Sequence, residues 1–357
     1  MTQRRRRRAI AAILFVTLAV AGLGVTVVRA DDAPALPAVS AGELLASTIE
    51  AASHPLTISG PVTTTLDLGL PELPSSLTTG VGLPSILTSL TGTQRWRVWH
   101  SPDGLRVAHL LVAREQDLVV NRDAAWWWDS ADLRAVRLDL AAMRGAAGGS
   151  SSAPASLDPV ELARTLIRGV APCASVSVQG TTTVAGRDAY VLALTPLAAD
   201  SLLGSVRFAI DARTRLPLRV EVLPRGGGDP ALSAGYTAVS FDPIDPAMFA
   251  FQPPPGATVR DAADLAHGSA PTTGPETGPE AGADGLPSVT DTRVFGECSG
   301  VIVAVQLDGR LPANAARLLP FAGPVGSAIA VDRGGHTWLL AGLVDASALE
   351  ARAAELP

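Results

Sequence analysis

Side chains able to do chemistry are few in this sequence and stand far apart. The five histidines, His54, His100, His109, His267 and His336, have no metal-ligand spacing, and no His-Glu-x-x-His run sets two of them on one helical face. The carboxylates form no pair that could divide the work of an acid and a base. All 28 basic residues are arginine. Without a lysine the chain cannot build a Walker-type phosphate loop, a pyridoxal-phosphate Schiff base, a Ser-x-x-Lys hydrolase centre or a kinase site. The Gly-x-Ser-x-Gly nucleophile turn is missing too. Gly226-Gly227-Gly228 falls between two β-rich runs and reads as a turn. Gly22-Leu23-Gly24 lies inside an apolar span and is no dinucleotide fingerprint. The expectation is a non-enzymatic protein with no cofactor and no metal, whose work is binding.

Aromatic residues are the material for binding. Trp126-Trp127-Trp128 sits in a β-like run, where successive side chains alternate, so at least one indole goes to each face. Trp96 and Trp99 add to this concentration. It could line an apolar ligand cavity, or it could serve packing between a sheet and a helix. The two cysteines, Cys173 and Cys298, make no zinc site. In an oxidising compartment they can form one disulfide, with two buried thiols as the alternative.

The compartment is read from the first thirty residues. Arg4 to Arg8 precede an uncharged stretch from Ala9 to Val28, long enough to cross a hydrocarbon core of about 30 Å. Arginines stay on the cytoplasmic side, which places the main body outside. Val28-Arg29-Ala30 also fits a signal-peptidase site, so residues 1–30 are either a retained transmembrane anchor at the cell membrane or a signal peptide that releases the protein after Ala30. No cysteine near residue 30 is present to carry a lipid. Residues 31–357 hold 22 arginines against 34 acidic residues, and a body this acidic repels phosphate backbones and excludes nucleic acid as a partner.

The elements that position these residues are mostly strands. Ser40-Ala41-Gly42-Glu43 is a capping-box pattern opening a helix to about Ala52, with Leu44, Leu45 and Ile49 on one side. Period-2 runs follow at 56–70, 95–99, 105–112, 118–120, 124–128 and 133–138, with a long Pro-punctuated loop at 71–92. After a Gly/Ser joint at 144–157, Asp158 caps a helix to Arg168. Strands are expected at 175–184, 188–195, 205–211, 216–223 and 234–241, and Pro253-Pro254-Pro255 ends this body. Residues 261–290, with repeated Gly-Pro-Glu, read as a disordered linker. A small C-terminal α+β domain, 291–357, then offers strands at 301–306, 325–331 and 336–343 and a helix at 346–355 capped by Asp345.

Several segments within residues 40–260 carry a resemblance. They are Leu68-Gly69-Leu70-Pro71-Glu72-Leu73-Pro74, Val184-Ala185-Gly186-Arg187-Asp188-Ala189-Tyr190 running to Leu194-Thr195-Pro196, Ile210-Asp211 with Leu216-Pro217-Leu218-Arg219-Val220, and Phe249 to Ala257. With the order helix, many antiparallel strands, inserted helix, more strands, the chain resembles the LolA-like lipoprotein carriers and the RseB-like periplasmic regulators, nearest to actinobacterial membrane-anchored members. The resemblance implies an α+β fold over 31–260, an incomplete antiparallel β-barrel with helices on its concave face. It also implies a lipid or a lipoprotein acyl chain as ligand, with the cytoplasmic membrane nearby. Spacing agrees: Val206, Phe208, Ile210, Leu218 and Val220 alternate with Arg207, Arg219 and Glu221. Those five, with Trp96, Val98 and Trp127, are the candidate cavity residues. A retained anchor and the extra C-terminal domain depart from a soluble carrier, and they bring in the RseB-like alternative, a sensor that binds a membrane anti-sigma factor.

Overall fold

Ser40 opens the first helix, α1 (Ala41–Ala51): its hydroxyl accepts the Glu43 N–H at 3.1 Å and its carbonyl accepts the Leu44 N–H at 2.9 Å. This is a computed structural model, and it describes residues 33–51, 57–67, 69, 92–141, 173–262, 289–311, 316 and 319–356. α1 buries Leu44 and Thr48, and the Thr48 hydroxyl is satisfied by the Leu44 carbonyl at 2.8 Å.

The strands fall into two meanders. β1 (Ile58–Leu66), β2 (Gly92–Ser101), β3 (Gly104–Leu111), β4 (Arg114–Asn121), β5 (Ala124–Asp129) and β6 (Arg134–Asp139) pair in chain order. So do β7 (Ala174–Val184), β8 (Arg187–Pro196), β9 (Leu203–Asp211), β10 (Pro217–Pro224) and β11 (Leu232–Tyr236). β11 lies antiparallel beside β1 and fuses the two into one sheet. A short strand, β12 (Thr258–Asp261), joins the far edge parallel to β6, completing an open sheet of twelve strands in the order β12-β6-β5-β4-β3-β2-β1-β11-β10-β9-β8-β7. The sheet is open and carries α1 on one face, as expected of an incomplete barrel.

A second sheet has five antiparallel strands in the order β13 (Val289–Phe295), β14 (Ile302–Leu307), β17 (His336–Gly342), β16 (Ser327–Arg333), β15 (Phe321–Ala322). α2 (Ala346–Ala353), whose first turn is capped by Asp345 accepting the Ala348 N–H at 2.9 Å, closes one face over Trp338, Leu340, Ile302 and Ile329. The two sheets are joined at one corner. A disulfide links Cys173, just before β7, to Cys298, between β13 and β14, with Cα atoms 5.8 Å apart. The Leu202 N–H donates to the Leu343 carbonyl at 2.7 Å, and Arg225 braces the same segment by donating to the carbonyls of Ser201 and Ala198.

Three elements differ from expectation. The chain does not leave the sheet at the prolines: Phe251 packs against Trp126 and Trp128, Asn121 donates to the Phe249 carbonyl at 2.9 Å, and the backbone beyond Pro255 returns as β12. β13 begins where composition suggested linker, because pairing with β14 decides it rather than apolar content. β11 ends at Tyr236, and of the expected remainder Ser240 makes an isolated bridge to Ser59. The expected loop at 71–92, except Gly92 at the start of β2, the joint and helix at 144–168 and nearly all of the linker fall outside the described residues. So does the apolar stretch 9–28; no helix among the described residues is long and apolar enough to cross a membrane.

The disulfide spans 125 residues of sequence, so in the chain-entropy view it stabilises the folded state by up to about 5 kcal/mol. Reduction, or Cys173→Ser with Cys298→Ser, is expected to lower the melting temperature and to raise hydrogen exchange first at Leu202 and along β13 and β14. Unchanged exchange there on reduction would show that the corner holds without the covalent bond.

Candidate functional site

Strand register decides which side chains share a face. Val98 pairs with Val107, Val107 with Leu118, Leu118 with Trp127 and Trp127 with Val136, an apolar row across β2 to β6. In the other meander Leu192 pairs with Phe208, Phe208 with Val220 and Val220 with Ala234, while Tyr190 pairs with Ile210 and Leu194 with Val206. The link between them is made by Ala234 opposite Thr64 and by Val62 opposite both Tyr236 and Trp96. Followed strand to strand, these rows lie on one face of the sheet, the face on which α1 sits.

Of the eight candidate residues, Trp96, Val98, Trp127, Val206, Phe208, Ile210 and Val220 are on this face by register. They do different work along it. Phe208 and Ile210, with Val206 and Val220 beside them, form the cluster beneath Leu44 and Leu45 of α1. Trp96 and Val98 are buried with Ile58, Val62, Leu105 and Tyr236. Trp127 is half-buried, as are its row-mates Val107, Leu118 and Val136 and the adjacent Val120 and Leu138. Leu218 breaks the expected alternation. A bulge at Pro217–Arg219 inserts an extra residue into β10 and leaves Leu218 without a register partner, and it is buried in one cluster with Val184, Ala189 and Ala209 and with Trp96, Val98 and Tyr236.

One edge of the apolar row is a polar belt that spacing alone did not single out. Trp96, His109, Gln116, Asp129 and Arg134 are successive register partners. His109 stacks on Trp96 with ring centroids 3.9 Å apart, and its Nε2 meets Gln94 Oε1 at 3.1 Å. The Trp96 indole donates to the Thr64 hydroxyl at 3.0 Å. Asp129 accepts from Arg114 Nε at 3.1 Å, again from Arg114 Nη2, and from Gln116 Nε2 at 2.9 Å. Burial alone pushes the Asp129 carboxyl up; Arg114, Gln116 and the Ala131 N–H outweigh it and hold the group below the usual carboxylate range. The only sequence signal for this belt was the polar residue in each otherwise apolar strand.

The opposite face mixes charged side chains with buried apolar ones, among them Val119, Trp128 and Ala193. Trp99 lies between the guanidinium groups of Arg97 and Arg106 at 5.5 and 5.6 Å. Asp117 is ion-paired with Arg106, yet burial dominates and its carboxyl is pushed up to about 6. Two cavities lined by described residues lie off the apolar face. One of about 450 Å³ sits between the sheets beside Asp200, Glu297, Arg352 and Glu355, and one of about 330 Å³ on the outer side of β7 to β10. Neither is the apolar hollow expected from the sequence. Among the described residues no group of three or more His, Cys, Asp or Glu side chains could hold a metal ion.

Burial, with help from the Arg114 charge and against the Gln116 hydrogen bond, lowers the His109 pKa from its ordinary 6.5. His109 is therefore neutral in the fold at pH 7. The unfolded chain takes up this proton first, so the stability it contributes is full above pH 6.5 and declines as the pH falls below that value. Protonation next to Trp96 should quench indole fluorescence with a midpoint below 6.5, and His109→Gln should remove that component. A midpoint above 6.5, or the same titration in the variant, would contradict the buried neutral stack.

No protein-family model matches the sequence, and no curated protein matches it. Among solved structures, the chain is similar to one from the MucA/MucB complex of Pseudomonas aeruginosa at 15% identity, covering 87% of this chain and 96% of that one with a TM-score of 0.43. An uncharacterised conserved protein of Thermus thermophilus is similar at 12% identity over 62% of this chain and 98% of that one, with a TM-score of 0.35. A LolA superfamily protein of Nitrosomonas europaea is similar at 13% identity over 59% and 98%, with a TM-score of 0.24.

Proposed function

We propose that this chain is an extracytoplasmic, membrane-associated LolA-like protein that binds an acyl chain of a lipid or lipoprotein on the α1 face of its open sheet, without catalysis. The observation that carries the reading is the register that aligns Val98, Val107, Leu118, Trp127 and Val136 across five strands. A continuous apolar row whose outer members stay half-buried favours a partner that is itself apolar and long. Each methylene sheltered there contributes about 0.8 kcal/mol, so a short acyl stretch suffices for affinity without any reactive group. The basic run Arg4 to Arg8 before the apolar span 9–28 supports an extracytoplasmic body held at or exported through the membrane.

A second reading is an RseB-like sensor that binds a membrane anti-sigma factor. It is favoured by the five-stranded sheet, whose face away from α2 keeps Val294, Val303, Val305 and Leu339 half-buried in paired positions.

Native mass spectrometry of the full chain, released from mild detergent, is expected to find co-purified lipid. Titration with an acylated lipopeptide should saturate, while the same peptide without acyl chains should not bind. Leu118→Asp with Trp127→Asp places two charges in the row and should weaken lipopeptide binding by at least about tenfold. An empty protein that takes the acylated and acyl-free peptides equally would end the acyl reading. Binding of an anti-sigma segment that is indifferent to the two Asp substitutions would favour the second.

A further inference from the structure

The outer face of β9 and β10 concentrates positive charge where the rest of the body is acidic. Arg207 on β9 is the register partner of Glu221 on β10, and Arg219 lies two residues away on β10 opposite Ala209. That diagonal places the two arginine stems about 7–8 Å apart at their bases, a spacing from which two long side chains can close on one small group. Both line the cavity of about 330 Å³, together with Gln179, Thr181, Thr182 and Glu221. The Arg219 side chain retains 10% of its exposure and is ion-paired with the Glu221 carboxylate at 3.8 Å. The Arg207 Nε–H is buried and meets no acceptor among the described residues, and the same holds for the hydroxyl of Ser233, the register partner of Glu221. Among the described residues that line the cavity, two are arginines and one is a carboxylate. Buried donors without acceptors destabilise a fold until an acceptor arrives.

We propose that this cavity is a binding site for a phosphate group, held between the Arg207 and Arg219 guanidinium forks with the Thr182 hydroxyl as a further donor. Planar forks suit the oxygen spacing of phosphate, and a half-enclosed pocket lowers the dielectric around the pair. The site lies on the far side of the sheet from the apolar row, so its occupant is not the headgroup of an acyl chain bound there, and the inference stands whether or not the acyl reading does. The phosphate can come free from solution or as the diester headgroup of a phospholipid at the membrane surface.

The test uses the full chain in uncharged detergent with two probes, inorganic phosphate and glycerophosphoglycerol, the latter being a phospholipid headgroup freed of its acyl chains. Calorimetric titration is expected to show saturable binding of at least one. Preference for inorganic phosphate assigns a free anion, and preference for the diester assigns a headgroup. Arg207→Gln with Arg219→Gln should weaken binding by at least about tenfold. Because that double variant could lose the fold, Glu221→Gln provides a gain-of-binding check: removing the competing carboxylate should tighten phosphate several-fold. If neither probe binds, or if Glu221→Gln leaves the affinity unchanged or weaker, the proposal is overturned.

Discussion

The pairing of β1 with β11 is the constraint on which the rest of the sheet depends. It sets Val62 opposite Tyr236, Thr64 opposite Ala234 and Leu66 opposite Leu232, and no other strand contact joins the two meanders among the described residues. Strand side chains alternate with a period of two, so a one-residue slip at this seam would exchange the faces of β7 to β11 relative to β1 to β6. Arg207, Arg219 and Glu221 would then continue the row of Trp96 and Val98, and the residues beneath α1 would face outward. Gly60 shows how tightly the seam is drawn, since a Cβ there would stand 2.1 Å from the Ala238 carbonyl oxygen. Where the chain passes Tyr236, the Ser59 and Ser240 backbones exchange hydrogen bonds of 2.9 and 2.8 Å, extending the pairing beyond the strand proper.

The polar belt on the apolar face reinforces that register rather than weakening it. Asp129 is buried, and its cost is offset only because Arg114, Gln116 and a backbone N–H all reach it in this alignment. A shifted strand would leave the carboxylate uncompensated, a penalty of several kcal/mol, whereas misaligned valines and leucines would lose far less. Apolar rows can slide; a buried carboxylate held by Arg114, Gln116 and the Ala131 N–H cannot. The belt also bounds the apolar field: Val107, Leu118 and Trp127 lie between His109, Gln116 and Asp129 on one side and Leu105, Val120 and Leu138 on the other.

Most of this architecture is written locally in the chain. Alternation in Arg95 to Trp99 and in Leu105 to Leu111 gave β2 and β3, and the Ser40 and Asp345 caps placed α1 and α2. What alternation cannot carry is a change of count. Leu218 follows the pattern of Val220 in sequence, but a single inserted residue at the β10 bulge decouples it from its neighbours. β12 and β13 were hidden for another reason: Thr258 to Asp261 are all exposed and β13 opens on Val289-Thr290-Asp291-Thr292, so their strand character comes from an existing edge with free backbone groups. The belt was invisible for a third reason, since Gln94, His109, Gln116 and Asp129 are separated in sequence and become neighbours only when four strands align.

The β10 bulge also bears on the charged side of the sheet. An arginine is seldom buried, and the residue exposure of Arg219 is 8%. The inserted residue explains how this is tolerated. With Leu218 buried at the start of the strand, the following guanidinium is carried over a floor of small residues, Ala209 and Gly235 being its register partners, instead of projecting past large neighbours into solvent. Small partners make room and create the cavity at the same time. The chain has thus placed a desolvated cation and an unfilled volume side by side, and it has done so on strands whose other face is fully committed to packing under α1. That division of labour, one set of alternate residues holding the sheet to its helix and the next set left to meet a polar ligand, follows directly from the two-residue period of the strand.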